Sequence, residues 1–277
     1  MTPPVLARTR LGMTAVRKLL GSPIVLVPTM GALHEGHIAL LRTAAALSRP
    51  YGSVVVSVFV NPLQFGAGED LDRYPRDLDA DMAICEREGV ALVFAPSVTQ
   101  MYPREQLITV DPGTMGQVLE GASRPGFFTG VLTVVLKLFR LVGPQIAVFG
   151  EKDAQQLALI RRMNEDLCLG VSVAGVPIVR DPDGMATSSR NAYLSAAGRE
   201  AAEAGPDAVL AAAQRVLDEA AKAEPPLTQD YLALVDPDTF APGKPGYAGD
   251  ALLLAAARVG KTRLIDNTPL TLAWPAP

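Results

Sequence analysis

The stretch Ser53-Val-Val-Val-Ser-Val-Phe59 sets the tightest limit on the fold. Its apolar residues do not alternate with polar ones, so a strand here must be covered on both faces. Such a strand belongs inside a parallel sheet flanked by helices. Ile24–Val27, Ala91–Phe94 and Gln145–Phe149 are shorter runs of the same kind. Between them, helical composition fills 36–48, 75–88 with Pro75 near its first turn, 127–142 and 154–167, and 171–179 reads as extended. Repeated strand–helix alternation predicts an α/β fold built on a doubly wound parallel sheet. Past Asp181 the pattern changes. An alanine-rich helix lies within 192–223, and 231–235, 251–259 and 262–265 read as strands, with Gly260-Lys261 turning an antiparallel hairpin. The expected division is a domain over 1–180 and a smaller α+β domain over 181–277.

At 277 residues and 49% hydrophobic content the chain can fill a sizeable core, and its net charge of −4 argues against a nucleic-acid partner. Arg8, Arg10, Arg17 and Lys18 precede no apolar stretch of the kind a signal peptide needs. The most apolar helix, 127–142, is interrupted by Lys137 and Arg140, so no membrane span is expected. Cys85 and Cys168 stand far apart without metal spacing, which suggests buried free thiols in a reducing, cytoplasmic setting.

Every notable polar cluster follows a strand. Thr29–His37, Asn61–Gln64, Gly150–Gln156 and Thr187-Ser188-Ser189-Arg190 could converge on a crevice at the carboxyl ends of the strands, where open sheets bind ligands. The first cluster carries Gly31, Gly36 and both histidines of the chain, His34 and His37. A strand, a glycine-bearing turn and a helix N-terminus with unpaired N–H groups make a site for an anion such as phosphate. Plain packing and local hydrogen bonding are the alternative reading. Zinc lacks a third histidine or a cysteine pair, and a G-x-G-x-x-G dinucleotide fingerprint is absent.

His34-Glu35-Gly36-His37 resembles the HIGH-type signature of the nucleotidyltransferase and class I aminoacyl-tRNA synthetase superfamily. Four ordered blocks narrow the likeness: P-T-M-G-A-L-H-E-G-H, F-V-N-P-L-Q-F, F-G-E-K-D-A-Q-Q-L and T-S-S-R-N, between positions 28 and 191. Together they are similar to the pantothenate synthetase, or pantoate–β-alanine ligase, family. The resemblance implies a Rossmann-like fold and a homodimer. It implies ATP-dependent condensation of (R)-pantoate with β-alanine through a pantoyl adenylate, releasing AMP and pyrophosphate, with Mg²⁺ accompanying ATP.

Carried over by block, Met30, Gly31, Ala32, Leu33, His34, Glu35, Gly36 and His37 would contact ATP, with His37 as proton donor. Gly150, Glu151, Lys152 and Asp153 would bind ATP, with Lys152 at the phosphates, and Val179 would lie by the adenine. Thr187, Ser188, Ser189 and Arg190 correspond to a mobile loop that closes over the triphosphate. Gln64 would hold pantoate beside β-alanine, and Gln156 would hold pantoate. His37, His34, Lys152 and Arg190 form the expected catalytic set; no metal ligands are assigned. The chemistry suits these types: cations and imidazoles offset the repulsion between a carboxylate and a triphosphate, while glutamine amides bind the acid without adding charge. Two positions depart from the family. Phe127 stands where R-P-G-H-F carries histidine and is read as packing, and Thr187 replaces an apolar loop residue. Alternatives are an adenylyltransferase of the same superfamily, which would not need the glutamine blocks, and a non-catalytic nucleotide-binding module.

Overall fold

Apolar runs without alternation become the middle of a parallel sheet. The computed structural model describes residues 2–66, 71, 74–179, 206–222, 226–243, 247–259 and 262–272. Two compact units divide the chain, one of residues 1–151 with 159–177, the other of residues 152–158 with 178–277.

In the first unit six strands, β1 (Val5–Ala7), β2 (Ile24–Thr29), β3 (Ser53–Val58), β4 (Leu92–Phe94), β5 (Ile146–Gly150) and β6 (Ser172–Val176), form one sheet in the order β1-β4-β3-β2-β5-β6. Every pairing is parallel. The order runs outward in both directions from β2, the doubly wound arrangement expected. Helix α1 (Arg10–Arg17), capped by Thr9, follows β1, and helix α2 (Glu35–Leu47) follows β2. Val25, Val27, Val54, Val56, Val93 and Val148 pack in one buried cluster with Leu41 and Ala44 of α2 and with Cys85. The alternate residues Leu26, Val55, Leu92 and Ala147 are equally buried, so both faces are covered. Full burial of each such side chain contributes about 1.5–3 kcal/mol.

Several elements depart from the sequence reading. The strand β1 and the helix α1 have no counterpart in it. Helix α3 (Leu78–Arg87) starts after Pro75, because the Asp77 side chain accepts from the Ala80 N–H at 2.9 Å and sets the first turn. The short helices α4 (Val98–Met101) and α5 (Glu120–Ser123) precede the long apolar helix α6 (Phe127–Val142). β2 continues through Pro28. Ile24 accepts from Gln145 on the β5 side, and Thr29 accepts from Phe59 on the β3 side. Even-numbered residues of β2 therefore turn their backbone groups toward β5, but that ladder ends at Leu26↔Ala147. The N–H that Pro28 lacks has no partner to miss. β2 shares only two residue pairs with β5 against six with β3. Cys85 is buried as expected, whereas Cys168 is exposed, at φ 51° in the turn after α7 (Ala154–Asp166).

The second unit holds an antiparallel sheet in the order β7-β8-β9, from β7 (Leu227–Val235), β8 (Gly249–Val259) and β9 (Thr262–Leu272). Its core joins Leu234, Ala251, Leu253 and Leu272 to Val209 and Ala213 of the helix Pro206–Ala220. β9 extends beyond the expected end at Ile265 and passes through Pro269, which an outer strand tolerates. The Gly260-Lys261 turn and the segment 180–205 lie outside the described residues. Among the described residues, no helix is long and apolar enough to cross a membrane.

Candidate active site

The turn after β2 is built inward on a buried carboxylate. Thr29 Oγ1 donates to the Ser57 carbonyl at 2.8 Å and accepts from Gly31 N–H at 3.2 Å. Gly31 has φ 84° and Ala32 has φ 52°, so two successive residues take the left-handed conformation. Asp81, on α3 and 2% exposed, holds them there. Its Oδ2 accepts from Ala32 N–H at 3.1 Å and its Oδ1 from Leu33 N–H at 2.8 Å. A Cβ at Gly31 would stand 2.8 Å from Asp81 Oδ2, so the approach requires glycine.

The two histidines close the N-terminus of α2 as a reciprocal pair. His34 is the N-cap, and its Nδ1 accepts from Gly36 N–H at 3.1 Å. His37, one turn on, accepts the His34 N–H on its own Nδ1 at 3.3 Å. The rings lie 4.2 Å apart between centroids. Because both Nδ1 atoms accept, each neutral imidazole carries its proton on Nε2. This narrows the expectation of unpaired backbone N–H groups: those of Gly31, His34 and Gly36 have acceptors within the turn, and those of Ala32 and Leu33 bind Asp81 of α3.

Gln64 ends the one-turn helix Pro62–Gln64 that follows β3. Its Oε1 accepts from Asn61 Nδ2 at 3.1 Å, and its Nε2 lies 3.1 Å from Met30 Sδ. Helix α6 comes close because Gly130 faces this turn; a Cβ there would collide with the Leu63 carbonyl. Arg124 donates to the Gln64 carbonyl at 3.2 Å, and its guanidinium carbon lies 3.8 Å over the Phe127 ring. Phe127 thus supplies a face for Arg124.

The first unit therefore brings together Met30 to His37 with Gln64. Gly150 ends β5 in the same unit, and the Glu151 carboxylate lies over Gly175 of β6, beside Arg161. Lys152, Asp153, Gln156 and Val179 belong to the second unit. Lys152 Nζ is 3.8 Å from Asp153 Oδ1, and the Lys152 carbonyl accepts from Asn267 Nδ2 of β9 at 2.8 Å. Gln156 lies half-buried on α7. Thr187, Ser188, Ser189 and Arg190 lie outside the described residues.

Asp81 and Tyr102 are the residues of this region that sequence reasoning missed. Asp81 sits 48 to 49 positions from the amides it binds and reads as one acid of a charged helix. Tyr102 closes the four-residue α4 and carries no motif. Burial raises the phenol pKa of Tyr102 and, together with Arg10, lowers the ammonium pKa of Lys137, whose Nζ lies 4.8 Å over the Tyr102 ring. Burial foremost, then the charge of Asp81, pushes the Cys85 thiol up to about 12.

A doubly wound parallel sheet, reversing beside a histidine-capped helix N-terminus, defines a Rossmann-like α/β protein of the nucleotide-binding class. The family model described as pantoate-beta-alanine ligase matches residues 6–269. A pantothenate synthetase from Thermobifida fusca (strain YX) is 57% identical over 289 residues, covering 97% of this chain and 96% of its own. The crystal structure of pantothenate synthetase from Thermus thermophilus superposes with a TM-score of 0.84 at 43% identity, over 95% of this chain and 98% of that one. The pantoate-beta-alanine ligase from Francisella tularensis, complexed with beta-gamma ATP and beta-alanine, gives 0.76 at 31% identity, over 99% and 100%. The chain belongs to the pantoate–β-alanine ligase family, enzymes that join pantoate to β-alanine to give pantothenate in an ATP-dependent reaction. A ligase, and not an adenylyltransferase or a non-catalytic module, is thus the established reading.

Proposed function

We propose that the turn Met30–His37 holds the triphosphate of ATP while Gln64 and Gln156 hold pantoate, so that the pantoate carboxylate attacks the α-phosphorus in line with departing pyrophosphate. The β-alanine amine then attacks the carbonyl carbon of the pantoyl adenylate, and AMP leaves. The observation that carries this reading is the paired histidine cap. With the amides of Gly31 to His34 and of Gly36 already bonded, the imidazole N–H groups, whose protons the caps hold on Nε2, are the donors this reading assigns to the phosphates. His37 donates toward the phosphate oxygens as charge grows on the leaving group, and His34 fixes the first turn from which it acts.

Gly150 to Asp153 form the second ATP-binding segment, with Lys152 as the cation for the phosphates, Val179 at the adenine, and Thr187 to Arg190 as the closing loop. Gln64 faces β-alanine as well as pantoate. Mg²⁺ accompanies ATP as part of the MgATP substrate and offsets charge on its phosphates. The chain acts as a cytoplasmic homodimer, with a nucleotide domain over 1–180 and a smaller domain over 181–277.

Pantoate-dependent exchange between pyrophosphate and ATP, followed by AMP release on adding β-alanine, tests the two steps. Exchange that ignores pantoate but responds to another acid would overturn the assignment.

A further inference from the structure

The Gln64 amide is not oriented by Gln64 itself. Asn61, 1% exposed, has both ends of its side chain occupied. Its Oδ1 accepts from the Tyr102 hydroxyl at 2.8 Å and from Leu63 N–H at 3.3 Å. Its Nδ2 donates to the Gly130 carbonyl at 3.1 Å and to Gln64 Oε1 at 3.1 Å. Donation therefore runs one way, from the Tyr102 O–H through Asn61 to the Gln64 carbonyl. The Gln64 NH₂ is left to face Met30 Sδ, a weak acceptor that a carboxylate or hydroxyl oxygen can replace. Each donation in such a chain polarises the next group and strengthens the final N–H donor. Tyr102 cannot easily swing away, since its ring lies 6.0 Å from that of Phe59 and beneath Lys137, itself tied to Gln106 Oε1 at 3.0 Å.

We infer that Tyr102 is a positioning residue for the acid substrate: acting through Asn61, its hydroxyl turns the Gln64 amide so that N–H, not C=O, meets the substrate's oxygen atoms. This rests on the reading of Gln64 as a pantoate contact. It also accounts for selection of an anionic or hydroxylated partner at that spot, because the opposite amide orientation would present a carbonyl oxygen to a carboxylate.

The test is a double-mutant cycle in the full-length enzyme. Tyr102→Phe keeps the ring and removes the O–H. It should raise the pantoate KM about 3- to 10-fold, the worth of one hydrogen bond, with the ATP KM unchanged. Gln64→Ala should raise the pantoate KM by itself, and adding Tyr102→Phe in that background should change nothing further. If Gln64→Ala leaves the pantoate KM unaltered, the reading of Gln64 as a pantoate contact fails. If Gln64→Ala acts but Tyr102→Phe does not, or if the effect of Tyr102→Phe persists undiminished without Gln64, the relay alone is overturned. A parallel rise in both KM values would mark a loosened fold and would equally refute it.

Discussion

Replacing Asp81 by alanine should release the turn between β2 and α2. The side chain is 2% exposed and binds the amides of Ala32 and Leu33 at 3.1 and 2.8 Å. A hydrogen bond to a charged group contributes about 1.5–3 kcal/mol, and the left-handed alanine it helps to hold stores about 1–2 kcal/mol of backbone strain. Relief of that strain and of the buried charge offsets part of the loss, leaving an expected destabilisation of about 2–4 kcal/mol, a large share of a typical total. Hydrogen exchange reads this residue by residue: protection of the Ala32 and Leu33 amides should fall about 30- to 1,000-fold. The ATP KM should rise alongside. Asp81→Asn keeps one acceptor but sets an NH₂ against the second amide, so it should recover only part of the loss. Native protection at both amides in Asp81→Ala, with an unchanged urea midpoint, would show that the carboxylate does not hold the turn.

Further predictions concern other parts of the first unit. Gly130→Ala drives a methyl group into the Leu63 carbonyl and Gln64 N, so it should cost about 1–3 kcal/mol in a urea melt and raise the pantoate KM more than the ATP KM. His37→Ala removes both a proposed phosphate donor and half of the reciprocal cap. Single-turnover adenylation should drop about 100- to 10,000-fold, while the loss of helix stability stays at about 1 kcal/mol. One thiol, Cys168, should react with an aromatic disulfide reagent in the native protein and two after unfolding, because Cys85 is buried and its thiol is pushed up to about 12. The folded thiol of Cys85 keeps its proton where the unfolded one loses it. Its contribution to stability is therefore whole below pH 9.0 and fades toward pH 12, by about 1.4 kcal/mol per unit; Cys85→Ala should flatten that part of the curve.

The sheet was legible because its strands carry their burial in their own composition: Val54, Val55 and Val56 have no polar neighbour among them to mark a wet face. Helix α6 was legible to the residue for the same reason, a long apolar stretch closed by Gly143 in the left-handed conformation. β1 was not. Three residues with Val5 half exposed make no pattern, and the strand exists only because β4 offers it an edge. Cys168 escaped because burial is a tendency of the residue type, whereas this one sits where a chain leaves a helix. Within the candidate site, the clusters Thr29–His37 and Asn61–Gln64 stood out through composition next to strand ends, while the roles of Met30 and Gln64 came from the family resemblance. Asp81 did not, since one more acid after Asp77 and Asp79 looks like any solvent-facing charge until the fold brings it under a loop from 48 positions away. Tyr102 was hidden for a related reason: its hydroxyl acts on Asn61 across 41 residues.

Pro28 gives the centre of the sheet a consequence of its own. With two rungs joining β2 to β5 and six joining β2 to β3, the sheet resembles a zip left undone at one end. A proline cannot draw it shut, because it has no hydrogen to offer the strand across the gap. Val27, Pro28 and Thr29, the last three residues of β2, are thus held by β3 alone, and position 28 offers β5 no donor.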